Sequence, residues 1–287
     1  KTLPGVSINN EMSTQYSVRG GNFDENLVYV NGIEIYRPFL VRSGQQEGLS
    51  FINNDLVNSI KFSAGGFSSE YGDKMSSVLD ITYKKPTSFA GSATLSFLGL
   101  NLNLEGINKS NKFSYLIGSR YKSNKYIFKS LDTKGEYNPN FSDIQTYLNY
   151  KFSNKLKISF LGNYSKNSYQ NIPENRSTRF GTISTPLELR IFFDGQEIDE
   201  YETYFGAVNI NNQPLKNVNL NFTFSGFTTY ESESFDILGQ YWLYELENDL
   251  GSDNFGEATF NRGIGTHLNH ARNYLKASLF NIEHNGL

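Results

Sequence analysis

This chain has three histidines, His267, His270 and His284, and no cysteine. A spacing of three puts two imidazoles on one face of a helix but on opposite faces of a strand. The residues around His267 and His270 read as strand, so the pair offers no metal site, and no cofactor is expected. The carboxylates Asp24, Glu25, Asp194, Asp199, Glu200, Glu231 and Glu233 fall in stretches that read as turns and loops, where solvated charge is the ordinary role. Paired glycosidase carboxylates would need a cleft that nothing here indicates. Gly20-Gly21 and Gly65-Gly66 are not followed by Gly-Lys-Ser/Thr and have no βαβ unit around them, so they are not phosphate loops. With Gly32 and Gly72, they serve left-handed turns or close packing. No catalytic constellation emerges, and the expectation is a protein that is not an enzyme. The aromatics Phe192, Phe193, Tyr241, Trp242 and Tyr244 fall in long loops. They are candidates to stack on a glycan or flat ligand, to meet a partner protein, or to pack the loops on one another.

The elements that must position these residues are β-strands. Apolar residues make up 38% of the 287 residues and mean hydropathy is −0.48. No run of about 18 apolar residues occurs, so there is no transmembrane helix. A transmembrane barrel is still allowed, because only alternate residues must be apolar there. Aromatics reach 15%, with 23 Phe and 19 Tyr, which suits either a barrel with aromatic girdles or a Tyr-rich soluble β-sandwich. A formal net charge of −3 with no basic stripe argues against nucleic acid as a partner.

Residues 144–152 and 156–164 alternate apolar and polar around Ser153-Asn154-Lys155, and 218–225, 113–117 and 266–283 do so too. Connections over 108–111, 153–155 and 211–216 are short, whereas those over 123–142, 170–200 and 232–265 are long. Short turns on one side and long loops on the other are a feature of outer-membrane barrels. About eight strands lie in 87–287, and Asn285-Gly286 reads as a hairpin awaiting its return strand. These features predict a chain cut at both ends and a full barrel of about 22 strands, the size that leaves room for a plug.

Residues 1–86 differ. They offer short strands over 15–19, 27–30, 33–36, 57–63 and 77–83, and an Asn31-Gly32 hairpin. A helical turn is expected over 49–60, capped by Asn53-Asn54-Asp55, with Leu56, Val57 and Ile60 on one face. The Gly-rich run 63–85, closed by Pro86, marks the junction. The expected fold class is an all-β transmembrane barrel with an N-terminal mixed α+β plug domain, 1–86 being plug and 87–287 barrel wall. In that setting Arg19 has two readings, a surface arginine beside a turn, or a latch whose guanidinium fork takes a wall carboxylate.

Four segments, Tyr16-Ser17-Val18-Arg19-Gly20-Gly21, 27–32, 63–71 and 76–82, resemble in order and spacing the later plug of TonB-dependent outer-membrane receptors, in the form common among Bacteroidetes. The chain departs from the family pattern at Asp73, where a second glycine is usual. The resemblance implies location in the cell outer membrane and import of a scarce nutrient. It implies contact with outer-membrane lipid and coupling to the periplasmic energy-coupling protein TonB. A surface lipoprotein or other subunits of an outer-membrane complex are further partners it allows. Siderophore, cobalamin, oligosaccharide and peptide are all open as cargo. Two other classes stand beside this one: a scaffolding barrel of an outer-membrane export or assembly complex, and a soluble β-sandwich adhesin.

Overall fold

A computed structural model describes residues 3–8, 15–36, 38, 50–68, 70–72, 76–126 and 135–286. Asp73 lies outside them. The N-terminal part builds two small sheets. Strands β1 (Val6–Ser7) and β2 (Ser17–Val18) pair with each other. Strands β3 (Asn26–Val30), β4 (Ile33–Glu34), β5 (Val57–Ser63) and β6 (Ser77–Tyr83) form a four-stranded sheet in the order β4-β3-β6-β5. The β3–β4 hairpin turns on Asn31 and Gly32, with φ of 54° and 76°. Both central residues of this tight turn must take positive φ, which Asn-Gly does at little cost.

The helical content expected over 49–60 shrinks to a 3-10 turn at Asn54–Leu56, after which β5 begins. Asn53 accepts a hydrogen bond from the Asp55 amide at 3.1 Å, as its position predicted. Leu56 is buried but Ile60 is 57% exposed, so they do not share a face. With one more 3-10 turn at Phe23–Glu25, these are the helical elements of the plug among the described residues.

From Ala90 onward the chain makes one nine-stranded antiparallel sheet. Its strands are β7 (Ala90–Ser96), β8 (Gly99–Ile107), β9 (Phe113–Ser123), β10 (Gly135–Lys151), β11 (Leu156–Pro173), β12 (Arg176–Thr182), β13 (Thr185–Leu215), β14 (Val218–Leu246) and β15 (Ala258–Gly286). Neighbours in sequence are neighbours in the sheet, apart from β12, which folds back on β13 while β11 pairs with β13 directly. Much of what reads as long loop is therefore strand. The stretches 170–200 and 232–265 are mostly paired extensions of β11 to β15, and β13 alone runs for 31 residues. A tilted strand crosses a bilayer in about 9–11 residues, so most of β13 stands clear of it. There both faces are wet, the apolar alternation fades, and sequence periodicity no longer reports the strand.

The strands that pack on the plug show one face to it and the other outward. On β10, Phe141, Asp143, Gln145 and Tyr147 are buried, while Ile144 and Tyr150 are 45% and 40% exposed. Outward-facing Ile158, Phe160, Val208, Ile210, Phe222 and Phe224 lie in register across β11, β13 and β14. Above this band sits a row of tyrosines. Tyr164 and Tyr204 have ring centroids 5.0 Å apart, and Tyr204 and Tyr230 6.5 Å apart. At its lower edge, Tyr150, in register with Ile158, meets Phe152, and Phe222 meets His284. An apolar band between two aromatic rows is the outer surface of a membrane barrel.

Candidate functional site: the plug–wall interface

The apolar side of the interface follows from alternation in both parts. Plug residues Val28, Val30, Ile33, Ile35, Phe51, Leu56, Ile81 and Tyr83 pack in one cluster with wall residues Leu116, Phe141, Tyr147, Leu161, Phe205 and Ala207. Phe51 meets Phe205 edge-on at 5.3 Å, and Tyr83 meets Tyr147 at 6.1 Å.

Polar groups pin this cluster. Arg120 on β9 is 9% exposed and grips in two directions. Its Nε donates to Asp143 Oδ1 at 3.0 Å, and its Nη2 reaches the other oxygen of the same carboxylate. Toward the plug, Nη1 donates to the Ile52 carbonyl at 2.8 Å and Nη2 to the Ser50 carbonyl at 3.0 Å. Nη2 also lies 3.5 Å from the Phe51 carbonyl. The planar fork suits this work, because it serves a bidentate carboxylate and still has donors left. Gln145 donates to the Phe51 carbonyl at 3.1 Å and accepts from the Tyr83 hydroxyl at 2.6 Å.

The 3-10 turn makes a second pin. Asn53 caps the turn with its oxygen and reaches the wall with its amide, donating to Asn103 Oδ1 at 3.1 Å. Asp55 accepts from Asn103 Nδ2 at 2.9 Å and from Asn101. Gly118 leaves the space, since a Cβ there would stand 2.4 Å from Asn53 Nδ2 and 2.8 Å from Asn103 Oδ1. Beside these contacts a cavity of about 600 Å³ separates the plug hairpin at Asn31 from an asparagine-rich wall, Asn209, Asn211, Asn219, Asn221 and Asn285.

The structure distributes the sequence-based candidates differently from one another. Arg19 is exposed, sits in a turn at φ 52°, and has no ion-pair partner among the described residues. Its Nη1 would lie 3.2 Å from a Cβ on Gly65. Gly20, Gly32, Gly65 and Gly66 all have positive φ. Gly21 does not, but a Cβ there would collide with Ser76 and Glu25, so it serves close packing within the plug. Gly72 meets nothing within 4 Å of a Cβ among the described residues and has no positive φ.

Phe192, Phe193, Tyr241, Trp242 and Tyr244 lie on β13 and β14, not in loops. Phe192 and Trp242 pack edge-on at 5.1 Å, and Arg190 lies 4.9 Å over Tyr244. These contacts tie the two extended strands together. The carboxylates Asp194, Asp199, Glu200, Glu231 and Glu233 are likewise on strands, and Asp199 is buried at 3% exposure. Burial, then the nearby Glu197 and Glu233, push the Asp199 carboxyl up to about 7. His267 and His270 take opposite faces, and His270 Nδ1 lies 3.3 Å from Asp236. Among the described residues, no group of three or more His, Cys, Asp or Glu side chains could hold a metal ion.

Arg120, Asp143 and Gln145 escaped the sequence reading, which gave Asn53 and Asp55 as caps of a turn and not as partners of the wall. A signal existed. Leu116, Gly118 and Arg120 share one face of β9, and an arginine on a face otherwise apolar or small calls for a buried partner.

Residues 1–78 match the family described as the TonB-dependent Receptor Plug Domain. No curated protein matches the chain by sequence. Among solved structures, the siderophore receptor PirA from Acinetobacter baumannii is 14% identical, with 85% of this chain and 50% of that one covered at a TM-score of 0.44. A variant of the ferric enterobactin receptor PfeA from Pseudomonas aeruginosa is also 14% identical, covering 98% and 51% at 0.44. The ferripyoverdine receptor of the Pseudomonas aeruginosa outer membrane is 12% identical, covering 99% and 49% at 0.42. The chain thus spans about half the length of the receptors it matches.

Proposed function

We propose that this chain, a plugged-barrel protein of the outer membrane that carries the plug domain of the TonB-dependent receptors, belongs to an active importer of a scarce nutrient. Residues 1–86 are its plug and 87–287 part of its wall, and the energy-coupling protein acts on the plug. The observation that carries this reading is how the plug is held. Arg120 binds plug carbonyls of Ser50 and Ile52, and Gln145 binds that of Phe51. These bonds can be exchanged for bonds to water, so their net contribution is only about 0.5–3 kcal/mol each. A water-accessible, asparagine-lined cavity already lies beside the plug. Such a seat holds the plug closed and still lets a pulling force release it.

The test uses the full-length protein in its own cells. Uptake of ferric siderophores, cobalamin, oligosaccharides and peptides is compared in wild type, in a strain lacking this protein and in one lacking the energy-coupling protein. The two deletions should abolish uptake of the same nutrient. Normal uptake with loss of a surface protein or secreted product would instead favour a scaffolding barrel.

A further inference from the structure

The face of β9 that carries Leu116 and Arg120 ends in Lys122. Lys122 stands opposite Phe141 of β10, which stands opposite Asn167 of β11. Asn167 is three residues beyond Tyr164, so Lys122 sits about 10 Å above the upper tyrosine row. At that level a pocket of about 190 Å³ lies among the ends of β7, β8 and β9. Lys122, Arg120 and the hydroxyl-bearing Thr94 and Ser96 line it, and no carboxylate does.

The charges of this pocket do not balance. Asp143 accepts from Nε and Nη2 of Arg120, so that guanidinium already has its counter-ion. Asp55 of the plug accepts from Asn101 and Asn103 and stays outside the lining. Lys122 has no hydrogen bond or ion pair among the described residues, and the charge that acts on it is Arg120, a second cation. A half-buried ammonium beside a like charge is unfavourable until an anion joins it. The Ser96 hydroxyl is engaged by the Leu98 amide and the Gly99 carbonyl, whereas that of Thr94 makes no hydrogen bond among the described residues. A carboxylate suits such a lining, because it has two oxygens to share between an ammonium and a hydroxyl.

We propose that this pocket receives a carboxylate group of the imported cargo, with Lys122 as its counter-ion. The proposal rests on the importer reading and narrows its substrate to nutrients that carry a carboxylate. The bound anion comes to rest against the guanidinium that holds the Ser50 and Ile52 carbonyls, so the cargo waits beside the seat of the plug.

Citrate serves as the probe, titrated calorimetrically into the purified full-length protein in detergent at pH 7 and constant ionic strength. Wild type should give saturable binding. Lys122→Met should weaken it about ten- to hundredfold, the loss expected for one charged hydrogen bond, and Lys122→Arg should keep most of it. Lys166→Met, on the outward face of β11 and half-exposed beside Glu200, should leave it unchanged. Heat-modifiable migration checks that each variant keeps its barrel. No saturable binding, or equal affinity in wild type and Lys122→Met, overturns the proposal. So does inorganic phosphate binding more tightly than citrate, because the pocket would then be one for phosphate. Binding on purified protein needs no energy coupling, so this result stands apart from the uptake test. Binding without coupled uptake would remove the importer reading and keep the site.

Discussion

Substituting Arg120 by alanine should unseat the plug, and the size of the effect follows from its contacts. Arg120 and Asp143 form a buried pair with side chains 9% and 1% exposed. Removing one partner of such a pair costs about 3–5 kcal/mol, because the other charge stays buried alone. The same change also strips a donor from the Ser50 and Ile52 carbonyls. At about 1.4 kcal/mol per factor of ten, the population with the plug unseated should rise roughly a hundredfold to several-thousandfold. The chain has no cysteine, so with any cysteine elsewhere in the full-length protein replaced by serine, a single Ala207→Cys reports this directly. Ala207 is 2% exposed and faces the plug. Maleimide labelling of that thiol in the full-length protein should be slow with Arg120 present and faster by the stated factor with Arg120→Ala. Arg120→Met combined with Asp143→Leu should label more slowly than Arg120→Ala, since no charge is stranded. The Phe51 and Ile52 carbonyls also keep Gln145 and Ser50 as donors. Equal labelling of wild type and Arg120→Ala, in proteins that keep heat-modifiable migration, would refute the idea that Arg120 holds the plug.

Three further outcomes are expected. Arg19→Ala should raise single-channel conductance of the full-length protein if Arg19 latches the plug to strands beyond those described, and unchanged conductance removes it from that role. Phe160→Arg puts a charge in the outward apolar band and should cost about 2–4 kcal/mol near the bilayer midplane, seen as a lower midpoint when the folded barrel is unfolded from lipid vesicles. An unchanged midpoint would place Phe160 away from lipid. For Asp199, the folded carboxyl titrates at about 7 against an ordinary 3.8. Below about 4 both folded and unfolded forms are protonated and nothing is lost. As pH rises through 7 the unfolded form has already ionised and the folded state bears the cost, so wild type should lose thermal stability relative to Asp199→Asn between those values. Parallel curves for the two proteins across that range would contradict the burial of this group.

Much of the wall was legible because a membrane barrel imposes period-two burial. Residues 144–152 and 156–164 alternate as lipid on one side and plug on the other demand, and β10 and β11 form there. The reading failed above the membrane. Where β13 and β14 stand in water on both faces, polar residues fill both sides, and strand looked like loop until cross-strand pairing was seen. The aromatics at 192, 193, 241, 242 and 244 were misplaced for that reason.

The interface divides the same way. Sequence by itself determined the Asn31-Gly32 hairpin and the Asn53 cap, because each depends on residues within a few positions. It also marked the change of character near Pro86. Which arginine meets the plug was beyond its reach. Arg120 and the Ser50 carbonyl lie 70 residues apart, and Arg19 and Arg120 look equally able to fork a carboxylate when read alone. Only the tertiary structure puts Arg120 on the inward face of β9, beside Asp143 of β10 and against the 3-10 turn of the plug. Burial, which depends on every element packed around a group, turns that one guanidinium into a latch.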